Sequence, residues 1–378
     1  MRFKTLTKRF FLIDIVIAMV ISIGLGIYDP LHIFHKSWVT EKDRIHGDMR
    51  VQAAGIINNY NFDSFIIGTS MLKGSSAILV SEKLGEKFVN LSPNGASISE
   101  RRYITEYALK KKKIKSVIIS FDTGLDQNLI VSNPKFPVSK FNYLYDEASL
   151  NDLKAYWNYK FVGCLASFST STYCLGNKRT IQRPVEWFDK LNKRNQNISG
   201  IENWVHNKKG RGKAIHSRVQ RHIKRPIASE KEYKEKLELS QEIIERSLFS
   251  SIESHKGVEF YVVFPPYSRF LYSLWKNKNP YKFLLYKETL RYFVKEGSKY
   301  KNLKIYSFDD MQYLDDLNNY RDMRHYNTDM NEMMLDAIAN GKHLITIENV
   351  DAFLEVINKM SGDYNLNQEL DYLLNSYL

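Results

Sequence analysis

Two short motifs, far apart in the chain, hold the residue types of a nucleophilic site. Ser70 follows Gly68 at the end of an apolar run, and Asp322 stands three residues before His325. A serine hydroxyl becomes a useful nucleophile when a histidine removes its proton, and an aspartate can hold that imidazole in the required tautomer. These residues therefore predict a Ser-His-Asp site. The plainer interpretations are a turn serine that holds a ligand and a surface histidine at the start of a helix.

An alternation of apolar strands and helices surrounds both motifs. Strands are predicted over 63–68, 87–91, 116–121, 258–264 and 303–308. Helices are predicted over 48–58, 75–84, 97–113, 230–254, 280–295 and 328–339. Strands separated by helices of this length favour a parallel sheet with helices on both faces. Ligands bind at the carboxyl edge of such sheets, so the first strand would deliver Ser70 to that edge.

The alternation stops in the middle of the chain and then resumes. Segments 61–131 and 229–345 read as one doubly wound α/β domain, and 132–228 reads as a mostly helical or irregular insertion. Residues 29–60 form a juxtamembrane segment, and 346–378 form an acidic helical tail.

The first residues predict a membrane anchor. Residues 1–9 form a basic tip, and 10–28 are nineteen residues with one charge, Asp14, near the cytoplasmic end. That length spans a hydrocarbon core of roughly 30 Å. The basic residues ahead of the run are Arg2, Lys4, Lys8 and Arg9. The positive-inside rule then predicts a single-pass protein of the cytoplasmic (inner) membrane with a periplasmic C-terminal domain. A cleaved signal peptide is the competing interpretation, but this run exceeds the usual apolar core of such peptides.

Positive charge is concentrated in one part of the chain. The formal net charge is +13, and residues 178–225 contain fourteen basic and three acidic residues, a net charge of +11. We expect Lys208, Lys209, Arg211 and Lys213 in this segment to bind an anionic partner. An extracytoplasmic domain rarely meets nucleic acid, which leaves acidic glycan or anionic lipid as the better partner.

The two cysteines, Cys164 and Cys174, lie ten residues apart. They could pair outside the cytoplasm or remain two buried thiols, and the sequence leaves both open. Too few further ligands stand nearby for a metal site, so we expect neither metal nor cofactor.

The two motifs and their strand context resemble the SGNH (GDSL-like) hydrolase and acyltransferase superfamily. More narrowly, the chain is similar to membrane-anchored bacterial SGNH-like proteins that accompany cell-envelope polysaccharides. The resemblance covers about 200 residues and implies a flavodoxin-like three-layer αβα domain. It makes Ser70 the block I nucleophile, with Thr69 in place of the usual aspartate, and Asp322 and His325 the block V pair. Gly95 matches the block II glycine whose N–H helps to form the oxyanion hole.

Block III departs from the family pattern. The family has Gly-x-Asn-Asp after the third strand, and this chain has Phe121-Asp122-Thr123-Gly124. The oxyanion-hole asparagine is therefore missing there, and Asn94 is the candidate substitute. Loss of one such donor costs about 3–4 kcal/mol of transition-state stabilisation.

Two functions follow from the resemblance. The first is an extracytoplasmic O-acyltransferase or esterase that acts on a cell-envelope glycan, with a membrane-bound protein as acyl donor. The second is a non-catalytic module that binds or scaffolds an envelope polysaccharide or its assembly machinery. The retained Ser70, Asp322 and His325 favour the first, and the altered block III favours the second.

Overall fold

The computed structural model of the protein describes residues 2–36, 44–122, 137–178, 199–206 and 211–376. At residues 2–6, 206 and 211 it describes the backbone alone.

A five-stranded parallel sheet lies at the centre of the fold. Its strands are β1 Ser64–Ile67, β2 Phe88–Asn90, β3 Ser116–Ser120, β4 Glu259–Phe264 and β5 Leu303–Ser307. The order across the sheet is β2-β1-β3-β4-β5. All five predicted strands are therefore confirmed, with ends displaced by at most one residue. The chain leaves β1 in one direction and returns to β3 on its other side, and such a reversal marks the ligand-binding crevice at the carboxyl edge.

Helices connect the strands and flank the sheet. They are α1 Arg2–Tyr28, α2 Met49–Asn59, α3 Ala77–Leu84, α4 Ile98–Lys111, α5 Tyr159–Ala166, α6 Thr172–Leu175, α7 Ile201–His206, α8 Arg211–Lys224, α9 Glu230–Ile244, α10 Ser250–Ser254, α11 Arg269–Lys278, α12 Pro280–Gly297, α13 Thr328–Asn340, α14 Val350–Asp363 and α15 Leu366–Asn375. Helix α3 packs against α13. Helix α4 packs against α2, and α12 packs against both α9 and α11.

The six predicted helices are present, and local capping explains several of their ends. Ser97 and Glu100 form a reciprocal capping box at the start of α4. The predicted helix over 230–254 is interrupted, because the turn Glu245–Phe249 is a π-helix between α9 and α10. Helix α11 was not predicted. It begins at Arg269, whose buried guanidinium donates to the Asp315 carboxylate.

The described parts of 132–228 are short helices and irregular segments, apart from the strand Asn177–Lys178, which pairs with Arg44–Ile45. Cys164 and Cys174 form a disulfide, which settles the alternative left open by the sequence. The acidic tail is helical, and its apolar side chains, such as Phe353 of α14, join the main core.

Helix α1 is long and apolar enough to cross a membrane over Thr7–Tyr28, by length and composition. Its last turn is buried against later parts of the chain. Leu25 packs in a cluster that includes Phe141 and Tyr156, and Tyr28 packs against the disulfide. The end of the apolar helix is therefore joined to the folded domain.

Candidate functional site

The nucleophile candidate lies in the turn that follows β1. Gly68 begins this turn, and a Cβ there would come within 2.8 Å of the Ser120 hydroxyl, so only glycine fits without a shift. The Gly68 N–H donates to the Ser92 hydroxyl at 2.9 Å, which ties the turn to the loop after β2. Ser70 is half-buried in this turn, at the carboxyl edge of the sheet.

The second motif lies on a short hairpin-like loop after β5. An antiparallel bridge pairs Tyr320 with Tyr326, and the Arg321 N–H donates to the His325 carbonyl at 2.8 Å. The Ser268 hydroxyl, just after β4, donates to the Met323 carbonyl at 2.8 Å. The loop is thus held from both sides, and its histidine faces the sheet edge.

A further contact joins the two turns. The Tyr326 hydroxyl donates to the Met71 carbonyl at 2.7 Å, next to the nucleophile candidate. The insertion supports the same loop, because the Trp204 indole N–H of α7 donates to the Tyr320 carbonyl at 2.9 Å. Sequence reasoning missed Trp204 and Ser268, since neither belongs to a recognisable motif.

The structure brings Ser70, His325 and Asp322 into one hydrogen-bonded line. The Ser70 hydroxyl lies 2.8 Å from His325 Nε2, and His325 Nδ1 lies 2.8 Å from the Asp322 carboxylate. Both distances are within the range that proton transfer and tautomer control require. The arrangement can deprotonate a serine hydroxyl and stabilise the resulting imidazolium.

Hydrogen bonds keep Asp322 ionised. Its other oxygen accepts the backbone N–H groups of Arg324 at 2.9 Å and His325 at 3.0 Å. Burial by itself would raise the pKa of Asp322, but the adjacent imidazole and these N–H donors lower that pKa well below its usual range. The side chains of His325 and Asp322 remain 22% and 18% exposed, so solvent and a substrate can reach them.

The oxyanion-hole candidates lie on the loop after β2, which neighbours β1 in the sheet. Gly95 has a φ of +54°, a conformation that favours glycine, and it is partly exposed. The Asn94 side chain is exposed. Both residues therefore stand at the same sheet edge as Ser70, and the Gly68–Ser92 bond holds their loop beside its turn.

The end of β3, where the resemblance placed block III, belongs to a buried polar cluster. Asp122 accepts hydrogen bonds from Thr69 at 2.9 Å and from Ser120 at 2.7 Å. The buried Arg101 guanidinium lies 3.6 Å from the same carboxylate and also donates to the Ser120 carbonyl. Burial lowers the pKa of Arg101, and the charge of Asp122 opposes that effect. Thr69, next to the nucleophile candidate, thus contacts an aspartate at the end of β3. Thr123 and Gly124 lie outside the described residues.

The predicted anion-binding residues are only partly described. Lys208 and Lys209 lie outside the described residues, Arg211 begins α8, and Lys213 is exposed in the first turn of that helix. The last turns of α8 instead border a cleft of about 720 Å³ that reaches His325. This cationic cleft is lined by Arg218, Arg221, His222, Lys224, Arg225, Lys282, Arg324 and His325. The signal for it in the sequence is the spacing of Ile215, Val219 and Ile223, which predicts one apolar and one basic helix face.

Within the described ranges, no three His, Cys, Asp or Glu side chains come together as a metal site. Comparisons with family models, with curated proteins and with solved structures find no match to this chain.

Proposed function

We propose that this protein is an SGNH-type O-acyltransferase or esterase that acts on a cell-envelope glycan. The observation that carries the proposal is the continuous Ser70–His325–Asp322 hydrogen-bond line at the carboxyl edge of a parallel sheet. Two backbone N–H groups fix the aspartate that orients this histidine, an arrangement that a surface histidine beside a serine does not need.

The proposed reaction has two steps. The Ser70 oxygen attacks the carbonyl carbon of an ester while His325 Nε2 takes the hydroxyl proton. N–H groups of Ser70 and Gly95 would bind the oxyanion. The tetrahedral intermediate then expels the donor alcohol, which receives the proton from His325, and acyl-Ser70 remains. A glycan hydroxyl or water attacks this ester, gives its proton to His325, and restores the serine. Asp322 holds the imidazole throughout.

The strand order supports the family interpretation. An order of β2-β1-β3-β4-β5 is that of flavodoxin-like doubly wound sheets. Right-handed crossovers would put α3 and α13 on one face and α4, α9 and α12 on the other, which agrees with the packing of α3 against α13 and of α12 against α9. We therefore propose a three-layer αβα domain of the SGNH type.

Two features support an extracytoplasmic location for this domain. Basic residues precede the apolar span, and positive charge usually stays in the cytoplasm. The Cys164–Cys174 disulfide belongs to the oxidising side of the membrane. Together they favour a single-pass anchor with the site outside the cytoplasm, where envelope glycans occur.

A fluorophosphonate probe tests the proposal, because it reacts with an activated serine whatever the natural substrate is. The full chain in nonionic detergent should incorporate the probe, and Ser70→Ala should abolish incorporation. The control Ser254→Ala removes an exposed serine whose hydroxyl donates to the Ser250 carbonyl in the same helix. This variant should be labelled like wild type. Absence of labelling in the folded wild-type chain would instead favour the non-catalytic module.

A further inference from the structure

The cationic cleft suggests which class of glycan reaches the site. We propose that it binds negatively charged groups, carboxylate or phosphate, on the glycan that receives or loses the acyl group. As a statement about the substrate this rests on the proposed function, whereas anion binding by the cleft can be measured independently of catalysis.

The charge of the cleft lining has a single sign. Six of its eight residues, four arginines and two lysines, are permanent cations, and the other two are histidines. Among the described residues, Arg218, Arg221, Lys224 and Arg225 take part in no ion pair with a carboxylate. Like charges held together repel one another, and a bound polyanion relieves this repulsion.

Helix α8 is fixed with its basic side toward the cleft. Ile215 and Val219 are buried, and Ile223 packs against the same core, so the helix cannot rotate without exposing them. Arg218, Arg221 and Arg225 follow one another at spacings of three and four residues, which places them on one side of the helix. The arginines are thus presented as a row beside His325.

The opposite wall holds its cations through aromatic rings. The Lys282 ammonium lies 4.9 Å from the centre of the Trp275 ring, and Lys282 is 8% exposed. The Arg324 guanidinium lies 5.5 Å from the centre of the Tyr267 ring, directly before the histidine in the chain. Contacts of this kind order a side chain before a ligand arrives. Planar guanidinium groups suit carboxylate and phosphate, which they bind with two parallel hydrogen bonds.

The position of the cleft favours a glycan as the anion. The cleft is an open groove of about 720 Å³, within the usual volume range of ligand sites. The cleft borders His325, at the carboxyl edge. A chain that enters the cleft would therefore lie across the reacting atoms.

Direct binding tests the proposal without any need for catalysis. Fluorescently labelled polygalacturonate, poly(glycerol phosphate) and neutral dextran of similar length are titrated with the full chain in nonionic detergent, and anisotropy is measured. We expect one or both anionic polymers to bind, and their comparison distinguishes carboxylate from phosphate. Binding should weaken steeply as salt is added, and dextran should not bind.

A matched pair of triple variants locates the binding. Arg218→Gln, Arg221→Gln and Arg225→Gln together should weaken polymer binding by about tenfold or more. Lys256→Gln, Lys295→Gln and Lys301→Gln together remove the same charge from exposed positions near the amino edge, and they should leave affinity within about twofold. Thermal unfolding checks each triple. If the cleft triple does not fold, the exposed Arg221→Gln alone and an Arg→Lys triple, which keeps the charge, take its place.

The outcomes separate this proposal from the proposed function. An equal loss of polymer affinity in both triple variants would overturn a role for the cleft. So would binding of dextran as tight as that of the anionic polymers. If phosphatidylglycerol micelles bind through the cleft arginines and neither anionic polymer binds, the cleft faces lipid and the glycan proposal is wrong. Polymer binding through the cleft without fluorophosphonate labelling would support the cleft and overturn the catalytic function. If the wild-type chain reacts with the fluorophosphonate, bound polymer should also slow the labelling of Ser70.

Discussion

Two of the His/Asp pairs among the described residues have similar chemistry but different surroundings. One is Asp322 with His325, and the other is Asp29 with His35, where the imidazole Nε2 lies 3.9 Å from the carboxylate. Asp29 accepts the backbone N–H groups of Ile33, Phe34 and His35, each at 2.8 Å, and the hydroxyl of Tyr156. Its carboxylate therefore closes the turn after α1.

Asp322 orients the imidazole of His325 differently from the way in which the His35 imidazole is held. One carboxylate oxygen holds the loop backbone and the other holds His325 Nδ1, so that Nε2 remains directed at Ser70. At His35 both ring nitrogens contact backbone carbonyls, of Lys36 and of Gly26 and Ile27. Residue type therefore does not distinguish the two pairs. The group that contacts the imidazole Nε2 does: a serine hydroxyl at His325 and backbone carbonyls at His35.

The largest expected effect is on the rate at which Ser70 is labelled when the Asp322–His325 pair is changed. Asp322→Asn keeps the shape but loses the charge and favours the wrong imidazole tautomer. We expect the rate of fluorophosphonate labelling to fall by about 10³–10⁴-fold. Asp371→Asn, an exposed carboxylate in α15, is the control and should label like wild type. An unchanged rate in Asp322→Asn would mean that this pair is structural too.

The buried cluster behind the nucleophile turn should show the largest effect on stability. Asp122→Ala leaves the Arg101 guanidinium buried without its carboxylate. We expect the free energy of unfolding to fall by about 3–5 kcal/mol. Denaturant unfolding of the full chain in detergent measures this change. A loss below about 1 kcal/mol would show that Asp122 is not needed to hold Arg101.

A smaller loss of stability is expected at the structural pair. Asp29→Asn places an amide, which can accept at only one atom, against several donors. The free energy of unfolding should fall by about 2–3 kcal/mol, while the folded fraction labels at the wild-type rate. A fall in labelling rate as large as that of Asp322→Asn would contradict the distinction between the pairs.

The smallest effect depends on pH. Burial, together with the positive charge of Lys160, lowers the pKa of His46 to about 4, and its ring contacts the Cys174 carbonyl at 2.9 Å. The unfolded chain binds this proton first, so stability should be complete well above pH 6.5 and fall by about 1–2 kcal/mol as the pH drops to 5. Thermal unfolding across this range should be flatter in His46→Gln. An identical pH profile would exclude His46 as the cause.

Local patterns predicted the elements that depend on local sequence. Strand β3 is a run of β-branched residues, and α4 begins with a capping box, so both could be located without the fold. The position of Ser70 followed from its strand. Helix α11 could not be predicted, because Pro265 and Pro266 just before it usually mark a break, and because long-range bonds hold Arg269.

Features that depend on tertiary contact were not predictable. The count of charges located the basic segment, but only the packing of Ile215 and Val219 shows which cations of α8 reach His325. Likewise, nothing in the sequence connected Thr69 with Asp122, which lie 53 residues apart. The structure shows them hydrogen-bonded to each other across neighbouring strands.

The buried last turn of α1 bears on whether the rest of the chain could remain folded without this helix. Leu25 and Tyr28 are 0% and 1% exposed. A peptidase that cut after residue 28 would withdraw both side chains from the protein interior. Deleting one large buried side chain costs about 2–5 kcal/mol, and a whole domain is typically stable by only about 5–15 kcal/mol. A chain cut at this point would therefore be fragile, because α1 contributes to the stability of the rest of the fold.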